Sequence, residues 1–170
     1  TLSLHDALPI FVLIVLVLLK KRESKFVQFF ARNGILFSLV VVALSIAGSL
    51  SYSDILMHEP CKLCWYQRIF MYPQFVILAL GLAIKDVAKD SKAVFYSIIL
   101  SILGAPVAFF HYLLQRGVVD AGCSVVGGYS VSCAKYFKMS FGYITIPMMA
   151  FTAFLMIITF LVLHRTQREV

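Results

Sequence analysis

The chain has 170 residues, 61% of them hydrophobic and 14% charged, with a net charge of +7 and a mean hydropathy of +0.93. Soluble domains carry about 25% charged residues and 45–50% apolar ones. Here the apolar excess sits in long charge-free stretches, which excludes a soluble globule, a disordered chain and a coiled coil and leaves a small polytopic membrane protein of one domain.

Residues 7–19 are uncharged but short for a span, and the basic cluster follows them. A signal peptide has its positive charges first, so that reading fails. Residues 1–22 are therefore set aside as an uncertain N-terminal segment, either the end of a truncated helix or a leader acquired in cloning or sequencing. Residues 23–170 form the membrane domain. Within it, residues 33–53, 69–84, 93–115 and 139–163 carry no charged side chain and read as spanning helices. About 20 residues at 1.5 Å rise cross a hydrocarbon core of roughly 30 Å. The second stretch reaches that length if its helix starts a turn earlier, near Cys64. Gly81, Gly104 and Gly142 suit close helix approach, and Pro73, Pro106 and Pro147 are tolerable inside a bundle. No stretch alternates with the period of a barrel strand. The expected fold is all-α: a four-helix transmembrane bundle, with residues 1–22 as a candidate extra partial hydrophobic segment.

Lys20, Lys21, Arg22, Lys25 and Arg32 precede the first full span, Lys85, Lys89 and Lys92 separate the second and third, and Arg165 and Arg168 follow the fourth. All of them fall on one side, which the positive-inside rule assigns to the cytoplasm. The net charge reads as an orientation signal with affinity for anionic lipid. Nucleic acid is a poor second partner, because no soluble basic face exists. The opposite side carries the loops at residues 54–63 and 116–138.

All four cysteines lie in those outer loops: Cys61 and Cys64 in the first, Cys123 and Cys133 in the second. Thiols facing an oxidising compartment tend to form disulfides, and one pair per loop is the simplest of three connectivities. Cys61-Lys62-Leu63-Cys64 closes too small a loop to add much stability, so it suits exchange better than stapling. Cys64 falls in the first turn of the second helix, where free backbone N–H groups and the helix dipole favour a thiolate. Arg68, one turn on, can stabilise that charge. Gly127 and Gly128 lie between Cys123 and Cys133, in a loop flexible enough to present a disulfide to a soluble protein. Residues 134–141 mix aromatics with lysines and could lie along the membrane surface.

A zinc site is the main metal alternative, since Cys-x2-Cys is a zinc half-site. The nine-residue spacing of the second pair and the oxidising side argue against it, and the expected metal content is none. Trp65 stands where a haem-attachment motif requires histidine. No GxGxxG, P-loop or iron–sulfur spacing is present to supply a soluble electron acceptor. A dithiol at the membrane boundary can instead reach a lipid-soluble two-electron acceptor, for which a quinone is the obvious candidate. Cys64 would meet the quinone ring, and Arg68 would stabilise developing negative charge on a quinone oxygen. His111, near the outer end of the third span, could hydrogen-bond a quinone carbonyl or relay a proton. Trp65, Tyr66, Tyr72 and Tyr112 read as interface or packing residues.

The stretch from Pro60 to Pro73, PCKLCWYQRIFMYP, resembles the DsbB family of disulfide bond formation proteins, above all its BdbC-like branch. The resemblance runs from about residue 33 to 163 and takes in His111-Tyr112-Leu113, the second cysteine pair and FGYITIP at residues 141–147. It implies a four-helix bundle in the bacterial cytoplasmic membrane with cytoplasmic termini, which reoxidises a thioredoxin-fold thiol oxidase of the DsbA or BdbD type. It further implies that Cys123 takes the mixed disulfide with that partner and that Cys133 exchanges with Cys61. Cys64 then engages ubiquinone or menaquinone beside Arg68, with His111 on the quinone side. In the related VKOR family the loop pair precedes the CxxC; here the CxxC comes first. The alternative of a different class is a non-catalytic membrane scaffold whose disulfides hold its outer loops.

Overall fold

The computed structural model describes residues 25–55, 57, 60–86, 91–119, 133 and 145–167. The uncertain segment 1–22, Cys123, Gly142 and the surface stretch expected at 134–141 lie outside these residues. The described residues form helices and connecting turns, with no strand among them: α1 (Lys25–Arg32), α2 (Gly34–Leu50), α3 (Lys62–Ala83), α4 (Lys92–Gln115) and α5 (Ile146–Gln167). A π-helical turn, Ser51–Ile55, continues α2.

Three of these helices are long and apolar enough to cross a membrane: Gly34–Ile55, Lys92–Gln115 and Ile146–Thr166. α3 is as long, with 22 residues, but Lys62, Arg68 and two glutamines lower its hydropathy. Both glutamines are buried. The polarity of the bundle is inverted relative to a water-soluble protein. Leu44, Ile69, Leu80 and Ile102 are exposed on the outside, whereas Gln74, Ser97, Ser101 and His111 are fully buried. Gln74 Oε1 accepts from Ser101 Oγ at 3.1 Å, and its amide donates back to Phe70 O at 2.9 Å. Such pairing is how polar side chains are accommodated between helices in lipid.

The four long helices pack in a ring, α2 beside α3 and α5, and α4 likewise. Phe154, Ile157, Leu161, Leu78, Val42 and Val94 fill its centre. Small residues set the approach distances. A Cβ on Gly104 would come within 2.5 Å of the Phe154 ring, one on Gly81 within 2.9 Å of Ala93, and one on Gly34 within 2.6 Å of the Phe160 carbonyl oxygen. The expectation for Gly81 and Gly104 holds; Gly34 is an additional contact point, at the α2–α5 crossing. Pro73 and Pro106 lie inside α3 and α4. Pro147 is in the first turn of α5, where its missing N–H is not needed.

Helix ends fix which residues share an end of the bundle. The start of α2, the end of α3, the start of α4 and the end of α5 meet at one end. There His164 Nδ1 lies 2.8 Å from the Ala31 carbonyl oxygen, and Val27 and Ala31 of α1 pack on Leu163. α5 continues past residue 163, through His164 and Arg165. At the other end α4 stops in a Schellman-type turn, with Gly117 at φ +69° and Val118 N–H bonded to Leu113 O at 3.1 Å. Glycine takes this left-handed conformation without strain. That end also holds the start of α3 and the end of α2, and with them Cys61, Cys64 and Cys133.

Candidate functional site

Pro60 leads the chain into Cys61, which is extended (φ −69°, ψ 169°) and serves as the N-cap of α3. Its carbonyl accepts the first helical hydrogen bond, from Trp65 N–H at 3.2 Å. Cys64 is then the third helical residue. Its sulfur turns back to accept the Cys61 backbone N–H, the part a glutamate plays in a capping box. The two sulfurs are 3.3 Å apart, Cys61 donating to Cys64. A two-residue spacing is what brings an N-cap side chain and the third helical side chain together, so the geometry follows from the motif.

Both cysteines precede the charge-free stretch of α3, and their thiols are driven apart in acidity. Cys61 is pushed up to about 12, first by the hydrogen bond it donates to Cys64 and then by burial; the His111 ring partly opposes this. Cys64 is held below the ordinary cysteine value of 9.0, first by the Cys61 thiol, then by the Cys61 backbone N–H and the Arg68 charge, against the cost of burial. Of the two, Cys64 is the thiol that ionises more readily.

Arg68 is anchored as well as charged. Its Nε donates to Ser49 Oγ and its Nη2 to the Ser49 carbonyl, both at 3.0 Å, and its guanidinium lies 5.3 Å from the centroid of the Trp65 ring. Ser49 sits in the last turn of α2, so these bonds satisfy a terminal carbonyl and tie α2 to α3. Among the described residues Nη1 has no hydrogen-bond partner. Trp65, Tyr66 and Ile69, on the same part of α3, are exposed.

His111 arrives from α4 and is fully buried. Its Nε2 lies 3.5 Å from the Cys61 sulfur and its Nδ1 is 2.9 Å from Gln67 Nε2. The Gln67 amide nitrogen facing Nδ1 favours the tautomer with its proton on Nε2, toward Cys61. Gln115 Nε2 also approaches Nε2, at 3.5 Å. Cys133, 2% exposed, packs with Cys61 and Leu114 in one small cluster flanked by Leu63 and Cys64.

Five of the six residues singled out in the sequence therefore converge at one end of the bundle: Cys61, Cys64, Arg68, His111 and Cys133. Cys123 lies outside the described residues. Of the converging residues, His111 contacts the Cys61 sulfur directly. Two participants were missed. Ser49 has no sequence signal beyond a hydroxyl in an apolar run. Gln67 had one, an amide on the face of α3 that also carries Cys64 and Met71, positions otherwise turned inward.

The sequence profile described as disulfide bond formation protein DsbB matches residues 31–164. The chain is similar to the SPbeta prophage-derived disulfide bond formation protein B of Bacillus subtilis, with 40% identity over 124 residues, covering 71% of this chain and 80% of the relative. It is 38% identical over 142 residues to disulfide bond formation protein C of the same organism, covering 81% and 99% respectively. It is 38% identical over 125 residues to a probable disulfide formation protein C of Halalkalibacterium halodurans, covering 74% and 88%. No solved structure matches.

Proposed function

This chain belongs to the disulfide bond formation protein DsbB family, and on that premise we propose that it is a protein dithiol:quinone oxidoreductase. In this reading it is a four-helix transmembrane protein of the bacterial cytoplasmic membrane, with its cysteine loops facing outward. It takes two electrons and two protons from the dithiol of a DsbA- or BdbD-like thioredoxin-fold oxidase and delivers them to ubiquinone or menaquinone. The partner's dithiol becomes a disulfide and the quinone becomes a quinol.

The observation that carries the reading is the geometry of a CxxC whose sulfurs are 3.3 Å apart, Cys61 donating to Cys64. One thiol is kept as a nucleophile, the other as a proton carrier. A quinone supplies the two-electron sink, and the donor set suits it: an arginine whose Nη1 has no hydrogen-bond partner among the described residues, beside an acidified thiol and next to exposed apolar side chains of α3. Each residue then has a task. Cys64 presents the thiolate. Arg68, held by Ser49, directs positive charge at the acceptor oxygen. His111 donates through Nε2–H to the Cys61 sulfur and steadies it as a thiolate during exchange, with Gln67 on Nδ1 supporting that tautomer. Cys133, already packed against Cys61, exchanges with it, and Cys123 meets the soluble partner.

Quinone reduction by the purified protein, driven by a reduced thioredoxin-fold partner, tests the proposal. Cys64→Ser is expected to abolish turnover. A protein that acts only as a scaffold reduces no quinone with or without that substitution, and this result overturns the reading.

A further inference from the structure

The sequence alone suggests a metal site only if all four cysteines come together. The fold offers a different donor set, because α4 brings an imidazole to the CxxC. Cys61 Sγ, Cys64 Sγ and His111 Nε2 all lie within 4.8 Å of one another, with the sulfurs 3.3 Å apart and Nε2 3.5 Å from Cys61 Sγ. Tetrahedral zinc takes sulfur at about 2.3 Å and imidazole nitrogen at about 2.0–2.1 Å, which sets donor–donor edges of roughly 3.5–3.8 Å. The Cys61–His111 edge matches, the sulfur–sulfur edge is about half an ångström short, and the Cys64 sulfur lies within 4.8 Å of the imidazole donor, so binding draws Cys64 and the ring toward a shared ion.

We propose that Cys61, Cys64 and His111, in the dithiol state, form a binding site for a divalent cation of the zinc class. Two thiolates and a neutral imidazole make a neutral complex with such an ion, which suits donors that are buried or half-buried. Binding displaces the Cys61 thiol proton. The His111 proton moves from Nε2 to Nδ1, where Gln67 already lies 2.9 Å away. A half-turn of the Gln67 amide presents its oxygen as acceptor, the usual support for a metal-bound histidine. Three protein ligands leave a fourth position, and Cys133 is in the same cluster. Oxidation of Cys61 and Cys64 to a disulfide removes two donors, so the site exists only when the pair is reduced. Binding stands on the geometry alone. Its consequence, arrest of the thiol cycle by the ion, rests on the thiol-oxidase reading.

The test uses the full chain in detergent, reduced and desalted without oxygen, then titrated with cobalt(II) as a spectroscopic stand-in for zinc. One equivalent is expected to give thiolate-to-cobalt charge-transfer bands and tetrahedral d–d absorption, both bleached by zinc. The oxidised protein should stay silent. Cys64→Ser should lose the bands, His111→Ala should bind about tenfold or more weakly, and Cys123→Ser should bind as the unaltered protein does. Absence of the bands in the reduced protein, or their full retention in Cys64→Ser, overturns the proposal. Cys64→Ser is nearly isosteric and decides the matter if His111→Ala does not fold. Metal-free quinone reduction, measured on the same preparation, separates the two readings. Turnover without cobalt binding removes only the metal site, and binding without turnover removes only the oxidase.

Discussion

At the scale of single residues, the CxxC works because a helix starts inside it. Cys61 caps α3 and Cys64 occupies the third helical position, so the cap geometry itself creates the acidity difference. The reactive form of a thiol is the thiolate. Cys64, held below 9.0, is more ionised at neutral pH than a free cysteine; Cys61, at about 12, stays protonated. Alkylation of the reduced protein against pH is therefore expected to modify Cys64 first, with a midpoint below the ordinary cysteine value. Cys61→Ala removes the donated hydrogen bond and should move that midpoint up; peptide mass mapping identifies the modified residue. Arg68 gives a second prediction at this scale. Its partner Ser49 holds it with two hydrogen bonds, only one of which involves the side chain. Ser49→Ala should raise the quinone KM by about tenfold or less, in keeping with one net hydrogen bond of about 1 kcal/mol, while leaving the unfolding temperature nearly unchanged. The proximity that was legible in the sequence, that of Cys61, Cys64 and Arg68, rests on neighbours three and four positions apart. Ser49 lies 19 residues from Arg68, and His111 lies 50 from Cys61. Contacts at those separations are made by helix packing, which spacing along the chain does not encode.

At the scale of elements, the long helices were legible, three of them apolar enough to span, because an apolar run of 20 or so residues in lipid has few alternatives to a helix. Their ends were less so. α2 lengthens into a π-helical turn through Ile55, and α5 carries on to Gln167 because His164 is buried against Ala31 rather than left at the surface. The short helix α1 gave only a basic cluster to read, yet it folds because Val27 and Ala31 find Leu163. Close packing without large side chains makes two glycines separable by experiment. At Gly104 an added Cβ meets the Phe154 ring, a side chain that can tilt; at Gly34 it meets the backbone oxygen of Phe160 and the Cβ of His164 at 2.8 Å. Backbone cannot yield without shifting a helix. Gly34→Ala is thus expected to destabilise by about 2–3 kcal/mol and Gly104→Ala by about 1–2 kcal/mol, within the range for overpacking. Thermal unfolding in detergent gives the order, and a larger loss at Gly104 would show that the α2–α5 crossing is the softer of the two.

At the scale of the whole molecule, the two ends of the ring differ in chemistry. The end formed by the start of α2 and the close of α5 carries Arg32, Lys85, Lys92 and Arg165. The opposite end carries Cys61, Cys64, Cys133 and His111, packed at the helix termini of α3 and α4, together with the cations Lys62, Arg68 and Arg116. On the proposed reading, this arrangement follows from a membrane that retains most positive charge on its cytoplasmic face and offers oxidising conditions on the other. It follows that charge and sulfur report the same orientation by independent physics, and a test of one bears on the other. A membrane-impermeant maleimide applied to intact cells or spheroplasts should label the protein only after reduction, and Cys123→Ser should reduce that labelling. In a variant with Cys64→Ser and a new cysteine at Lys85→Cys, the added thiol should stay unlabelled until the membrane is opened. Labelling of the residue-85 thiol in sealed spheroplasts would reverse the orientation and separate the cysteine pairs from the compartment that keeps them oxidised. The relay would then lack its protein substrate, whatever the geometry of its sulfurs.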